Sequence, residues 1–591
     1  MRRFVAVITL GLLVWMMSVP QAQAVVAVGA EVSVGDPDGL TPRNHQNEPA
    51  VAVDAHQPNV LVAGSNDYID QQPCPQPLPA SIGQCLPAAR TNTGVSGVYF
   101  SFDSGRTWMQ PTYTGWTRRD CDPATVCDGH VGPIGTLPWY YETGLVSFGD
   151  PAVAVGPKPG PGGFSWANGS RVYYANLATN FDAVLQPVQH GLFKGQLGVA
   201  VSRLDDPTPA RVALKSSWER PVLAIHKGGT FSLEDKEQVW ADNAASSPFF
   251  GNAYVCSVNF RALTGAGVPV PVIVAFSSDG GETWTTRNMP GPTGGGASFL
   301  KHGGNTGCTI RTDSDGVVYL FYTEFHAGLP GLGFHVMRKS FDGGKHWTQA
   351  RRILPVNDMC FQVDPVYGRC VMDGYAGARI DLSAAPSVDI ANGAPTGADA
   401  TDVIVNAWSD GSLGFNNEKT LFSWSPKGGG QWAAPVPVSL PGDRSMYSAP
   451  AVSPNGDHVY VMYEGPTAPW RGADMASPRP YHGVFLGASF GPGGPAGWTT
   501  LYSGPLGDLR GTYPGHDIYQ ERVGDYVYAA ATRTYGVGVW TDAADAAVCP
   551  AVQAYRAASL AAGQLALPAP WPLADCPAQF GNTEIQAATT G

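Results

Sequence analysis

Apolar residues along this chain come in short, strand-like runs broken by glycine, proline, asparagine and aspartate, and one arrangement of these runs recurs. A turn or acidic residue leads into an apolar strand, a short polar gap and a second strand. It reads QNEPAVAVDAHQPNVLVAG from Gln46, FGDPAVAVGP from Phe148, EDKEQVWADNAASSPFFGNAYVC from Glu234 and NTGCTIRTDSDGVVYLFYT from Asn305. It continues as GYAGARIDLS from Gly374 with VIVNAWSD from Val403, YSAPAVSPNGDHVYVMYEG from Tyr447 and VGDYVYAAATRTYGVGVWTDA from Val523. Each of these seven blocks predicts a pair of antiparallel strands.

A second element falls between them: SFDSGRTW from Ser101, SSDGGETW from Ser277 and SFDGGKHW from Ser340, each preceded by a strand-like run. This is an Asp-box. Its aspartate (Asp103, Asp279, Asp342) accepts from backbone N–H groups of a turn, its glycine (Gly105, Gly281, Gly344) supplies positive φ, and its tryptophan folds back beneath as an apolar plug. SWSPKGGGQW from Ser423 and SFGPGGPAGW from Ser489 keep the serine, glycines and tryptophan but lose the aspartate. Two strands from each phrase and two flanking each box make four per block. Four-stranded blocks repeated radially predict an all-β fold, a single β-propeller of about seven blades, with six as the alternative. FGNTEIQAATTG from Phe580 or AEVSVGD from Ala30 would complete a blade and close the ring.

Composition agrees: 73 Gly and 51 Pro among 591 residues suit many short strands joined by turns, while 14% charged residues starve helices. A net charge of −12, with no basic stripe, argues against a nucleic-acid partner. Arg2 and Arg3, the apolar run Phe4–Val19 and Ala22-Gln23-Ala24 form a signal peptide over residues 1–24, which leaves 25–591 as one secreted domain with no later membrane span. The ten cysteines read as five bridges between sequence neighbours, Cys74–Cys85, Cys121–Cys127, Cys256–Cys308, Cys360–Cys370 and Cys549–Cys576. No CxxC pair points to zinc.

The boxes, the NEPAVAV opening and the GDY…VWTD ending resemble the secreted bacterial sialidase-like, or bacterial neuraminidase repeat, family over most of the mature chain. The resemblance implies a propeller and a glycoside hydrolase acting on terminal sialic acid or a related sugar. Boxes lie on outer hairpins and also occur in non-enzymatic propellers, so they speak for fold rather than chemistry.

Chemistry belongs to the N-terminal ends of the innermost strands, where the blocks place Glu48, Asp150, Asp235 and Asp525, with Asn47, Lys236, Asn305, Tyr447 and Tyr526 beside them. Converging carboxylates raise one another's pKa and give a neutral acid beside an ionised base, the pairing used in glycoside cleavage. Such carboxylates also satisfy strand N–H groups or bind a structural Ca²⁺. The family further implies an Arg-Ile-Pro and an arginine clamp for the substrate carboxylate. Arg-Ile-Pro is missing, and Arg43, Arg444 and Arg522 are the substitutes. On this pattern Tyr526 is the nucleophile, Glu48 its base and Asp150 the acid. The alternative is a non-catalytic propeller that binds glycan or protein through Trp470, Trp116, Trp139 and Tyr140. Either way the expectation is a monomer directed at carbohydrate, without a cofactor. Asp313-Ser314-Asp315-Gly316 reads as a hairpin turn rather than a calcium loop, and His516-Asp517 as a solvated loop pair.

Overall fold

The computed structural model describes residues 26–35, 40–74, 92–123, 127–181, 192–226, 232–261, 268–289, 304–325 and 331–591. The expected signal peptide at 1–24 and Cys85 lie outside them. Seven antiparallel sheets follow one another around a central axis, a seven-bladed propeller. From the axis outward, blade 1 is Gln46–Val53, Leu61–Asp67 and Ser96–Ser101; blade 2 is Ala152–Gly160, Gly163–Asn180, Gly198–Asp205 and Trp218–Ile225. Blade 3 is Ser232–Ala241, Ala253–Arg261, Val268–Ser277 and Thr285–Met289; blade 4 is Gly304–Thr312, Val318–Phe325, Leu332–Ser340 and Arg351–Asn357. Blade 5 is Ser387–Ile390, Ile404–Asp410, Lys419–Ser425 and Val436–Pro437; blade 6 is Tyr447–Val452, His458–Pro466, Pro480–Gly491 and Gly494–Ser503.

Blade 7 closes the ring. Its inner strands are Tyr528–Ala531, Gly536–Asp542 and Glu584–Thr589, and its outer edge is the N-terminal Val28–Glu31, paired from Val28 with Thr589 to Glu31 with Gln586. Both terminal stretches are therefore used, and together they staple the two chain ends into one sheet. Neighbouring sheets bury apolar faces against each other, as where Tyr173 and Val199 of blade 2 meet Val239, Val255 and Ile273 of blade 3. Because each blade needs both neighbours to cover its faces, the core is a continuous ring. Cys256–Cys308 ties blade 3 to blade 4 across this packing, and Cys121–Cys127, Cys360–Cys370 and Cys549–Cys576 pin loops.

The S-x-D-x-G-x-x-W segments join the third strand to the outer one in blades 3 and 4 and follow the third strand in blade 1. In the first, Ser101 Oγ accepts from Gly105 N at 2.9 Å, Asp103 Oδ1 accepts from Thr107 N at 2.9 Å, and Trp108 Nε1 donates to Gly105 O at 3.2 Å. Gly105, Gly281 and Gly344 take φ of 85°, 87° and 91°. Trp108 is buried, whereas Trp284 and Trp347 are half-buried, so only the first is a full plug.

Three expectations need correction. Blade 1 has three strands, its outer place reduced to the bridge between Phe100 and Met109. The inner strand of blade 5 is Ser387–Ile390, not GYAGARIDLS. Gly374 and Gly377 sit where a Cβ would lie 2.4 Å and 3.0 Å from the Arg479 guanidinium, and Ala376 has φ of 54°, so this stretch is a loop folded over the axis. Finally, the long insertion in blade 7 carries a thirteen-residue helix, Pro550–Ala562, that the composition gave no reason to expect.

Candidate functional site

Three inner strands begin with a bulge. The pairing skips between Asn47 and Ala50, between Asp235 and Gln238, and between Thr306 and Cys308, with Glu48, Lys236 and Gly307 at φ of 56°, 59° and 57°. Asp150, just before the inner strand of blade 2, has φ of 51°. Left-handed backbone is costly for a residue with a Cβ, about 1–2 kcal/mol, and here three adjacent blades place a charged residue in it. The bulge turns each side chain out of the in-out alternation of the strand and aims it at the axis. Gly524 has a related role: at φ of 100° its Cα faces Glu48, and a Cβ would lie 2.8 Å from Glu48 N.

The side chains so aimed form one buried network. Asp525 is its centre, accepting from Lys236 Nζ at 2.5 Å, Arg379 Nη2 at 3.0 Å and Arg522 Nη1 and Nη2 at 3.2 and 3.1 Å. Burial alone would raise the Asp525 pKa, but Arg379 and Lys236 outweigh it and hold the carboxylate ionised far below the usual range. Arg522 also donates to Glu48 Oε1, and Asn66 Nδ2 donates to Glu48 Oε2 at 2.7 Å. Glu48 and Asp150 share a hydrogen bond, and Asp150 shares another with Asp235. Burial first, and the neighbouring carboxyls second, push this row upward. Two carboxyls in hydrogen-bond contact hold a proton between them, so the Glu48–Asp150 pair keeps one well above the ordinary carboxylate range. Lys236 reaches Asp150 Oδ2 at 3.3 Å and stays charged, because Asp150, Asp235 and Asp525 overcome the burial that opposes its charge.

Tyr447 lies within this group, its hydroxyl donating to Arg379 O at 2.8 Å. Tyr526 Oη donates to Pro151 O at 3.3 Å, and burial with Asp150 and Glu48 drives its pKa further above 10. That is the reverse of an activated nucleophile, and Glu48 is bonded elsewhere rather than to this phenol. Asn47 joins the network through Asn66, while Asn305 is buried with its amide unpartnered among the described residues. Solvent reaches the group along one edge, where the side chains of Asp150, Asp235, Arg379 and Asp381 are 13%, 23%, 20% and 27% exposed.

Two expected arginines lie elsewhere. Arg43 donates to the carbonyls of Ile69 and Arg119, a loop fastening. Arg444 forks onto Glu418 at 2.8 and 3.0 Å and onto two carbonyls, a buried pair behind the loops. Of the three expected arginines only Arg522 bonds Asp525, while Arg43 fastens a loop and Arg444 pairs with Glu418. Arg379 takes a place beside Arg522, delivered by the loop that GYAGARIDLS forms. Glu237 was also missed; it lines the mouth next to Tyr526, with both carboxyl oxygens unbonded to any other described residue. Burial, then Asp150, holds its carboxyl protonated well above the usual range. A lysine between two acids in DKE was the available signal for it.

The helix Pro550–Ala562 explains how the loop ahead of Asp525 holds its shape. Arg556 on it is fully buried and donates to the carbonyls of Ile518, Arg510, Thr512 and Gln520 between 2.8 and 3.2 Å. Arg479 bonds Glu521 Oε1 at 2.8 Å from the other side. Arginine's planar fork of donors suits this use, pinning turns that lack regular backbone pairing. In the same loop Asp517 is buried and His516 half-buried, and desolvation lowers the His516 pKa.

Among the described residues no group of His, Cys, Asp and Glu could hold a metal ion. Asp313 Oδ1 accepts from Asp315 N and Val317 N at 3.1 and 2.9 Å, a hairpin turn. The proposed aromatic residues divide: Trp116, Trp139 and Tyr140 line one recess, in which Tyr140 is buried, Trp139 bonds Lys215 O and Trp116 stacks on Tyr141, while Trp470 stands apart, packed edge-on to Tyr375. No helix of the described residues is long and apolar enough to cross a membrane.

No family model and no curated protein matches the chain. Among solved structures it is similar to a Hadza microbial sialidase at 13% identity, over 71% of this chain and 63% of that one, with a TM-score of 0.39. A leech intramolecular trans-sialidase matches at 11% over 73% and 66%, TM-score 0.39, and one from Ruminococcus gnavus at 12% over 73% and 93%, TM-score 0.39. The chain thus spans just under two thirds of the length of the first two. What the mouth can do rests on its own residues.

Proposed function

We propose that this chain is a secreted glycoside hydrolase of the propeller type that removes a terminal, uncharged sugar. The observation that carries this reading is the hydrogen-bonded row Glu48–Asp150–Asp235, which stores a proton beside a permanently ionised Asp525. Asp150 is the proton donor, because it is the member of the sharing pair that reaches the solvent edge, and Glu48 behind it resupplies the proton. Lys236 and Arg379 border the same edge and would bind sugar hydroxyls. Support for an anionic sugar is weak, since all three cations at the mouth, Lys236, Arg379 and Arg522, are already bonded to Asp525. The sialidase version of this reading, with Tyr526 as nucleophile and Arg43, Arg444 and Arg522 as clamp, loses support on both counts.

A second reading is favoured by the depth of the network. Glu48 and Asp525 have no exposure at all, and the cavity beside them is only about 60 Å³, so the charges would serve as a plug that closes the channel of a non-catalytic binding propeller. One experiment separates the two. The mature chain is assayed against fluorogenic sialosides and neutral pyranosides and furanosides, with Asp150→Asn beside it. Hydrolysis of a neutral glycoside, reduced about 10²–10⁴-fold in Asp150→Asn, supports the hydrolase. Lack of turnover across the panel leaves the plug, and turnover of the sialoside alone removes the uncharged-sugar claim.

A further inference from the structure

Behind the mouth the channel opens again. At the C-terminal ends of the inner strands lies an axial cavity of about 290 Å³ to which all seven blades contribute. Its front wall is a polar partition in which Tyr528 Oη meets Gln238 Nε2, itself on the Arg311 side of the channel. Its roof is the 391–402 loop of blade 5, which reaches across the axis. Trp166 of blade 2 donates to Pro395 O at 3.1 Å, Arg533 of blade 7 to the carbonyls of Gly393 and Ala394 at 2.9 Å each, and Ala245 N of blade 3 to Pro395 O at 2.9 Å. Strands of a propeller need no such crossing to close their ring. A loop fastened to blades on opposite sides does something else: it encloses the space beneath it.

The enclosed walls are mostly valine and alanine, Ala52 and Ala530 among them; of the polar lining residues Asn392 is bonded to Asn243, Thr532, Arg533 and Thr534 belong to one turn of blade 7, and Arg311 and Asp389 form a pair within the apolar wall. Arg311 lies over the Trp240 ring at 4.7 Å and spends one amino group on its own Ile310 carbonyl. Its Nε is buried without a hydrogen-bond partner, 3.7 Å from Asp389 Oδ1, while Asp389 Oδ2 is taken by Val452 N at 2.9 Å. A buried N–H donor left open beside an acceptor slightly too far to bond it is unfavourable in an apolar space. One hydroxyl or amide inserted there would accept from Nε and donate to Oδ1, satisfying both. The pair sums to zero charge, and Arg533 at the rim is paired with Asp399, so the chamber offers no net attraction to an ion.

We infer that this chamber is a ligand site, separate from the mouth, for an uncharged, mostly apolar molecule of about two fused rings bearing one hydroxyl or amide, held between Arg311 and Asp389 under the 391–402 loop. The size follows from volume: an apolar cavity of about 150 Å³ accommodates one benzene ring, and this one is nearly twice as large. A few placed polar groups in an apolar pocket are the usual composition of a small-molecule site.

The probe is 2-naphthol, titrated into the mature chain and followed by its fluorescence. The expected result is saturable one-to-one binding, with naphthalene about tenfold weaker for lack of the bridging hydroxyl and 2-naphthoate not bound. Ala52→Phe and Ala530→Phe fill the chamber from two sides, and each is expected to abolish binding while retaining a cooperative thermal transition. Failure of 2-naphthol to saturate overturns the inference. So does binding that survives in both filled proteins, which would place the probe elsewhere, or naphthoate binding as tightly as naphthol. Should a filled variant not fold, the order naphthol, naphthalene, naphthoate decides alone.

Discussion

The S-x-D-x-G-x-x-W turns and the channel mouth use aspartate in opposite surroundings. In the turns the carboxylate is largely exposed and its partners are within five residues; Asp342 accepts from His346 N at 2.9 Å and from Ser340 Oγ at 2.9 Å. These bonds outweigh its slight desolvation and lower its pKa to about 2. At the mouth the same side chain is buried and its partners come from other blades, Lys236 from 289 residues away and Arg379 from 146. There the pKa is set by which neighbours share the site, and it moves up for Asp150 and down for Asp525. A locally satisfied aspartate can only shape a turn. A non-locally satisfied one couples blades, and its proton affinity becomes a property of the assembled ring.

The contrast is sharpest when each centre is deleted. Asp525→Ala strands three cations in a dry site, and losing one partner of a buried pair costs about 3–5 kcal/mol. Asp103→Ala removes a few hydrogen bonds that water replaces, about 1–2 kcal/mol. Urea unfolding of both variants measures the difference, with m-values checking that two-state behaviour holds. Equal losses would mean that the mouth charges are hydrated and that the coupling of blades through Asp525 is absent.

The same contrast explains what the sequence disclosed. Elements whose partners are near in the chain were legible: the turns around Asp103, Asp279 and Asp342, the bridges Cys121–Cys127 and Cys360–Cys370, and six of the seven inner strands. The inward placement of Glu48, Asp150, Lys236 and Asp525 was legible too, because each precedes an apolar strand in a recurring phrase. Arg379 was hidden because its loop contains an apolar stretch that imitates the inner strand of blade 5, and only the close approach of Gly374 and Gly377 to Arg479 reveals it as a loop. Arg43 and Arg444 were misplaced for the converse reason. Position ahead of a strand gives the direction of the chain but not the side chain's partner, and carbonyls or Glu418 claimed them first. Helix Pro550–Ala562 escaped notice because composition averages over the whole chain, and one short helix hardly moves the average.

The smallest effect is also the most specific, because the two kinds of aspartate predict opposite responses to pH. A pair whose pKa is raised on folding binds its proton more tightly folded than unfolded. The Glu48–Asp150 contribution is therefore intact below the ordinary carboxylate values and is lost as pH rises through the folded one. Asp342 behaves inversely: its contribution is intact above 3.8 and is lost as pH falls toward about 2. Wild type should lose more stability than Asp150→Asn between about pH 4 and pH 8, on the order of 1 kcal/mol, because the substitution ends the proton sharing. Asp342→Asn should differ from wild type above about pH 4 and converge with it below, by at most about 0.5 kcal/mol because solvent screens an exposed carboxylate. Unfolding curves at a series of pH values give both slopes. If Asp150→Asn tracked wild type in parallel across the whole range, the pair would hold no shared proton, and the acid at the mouth would have to be sought at Glu237.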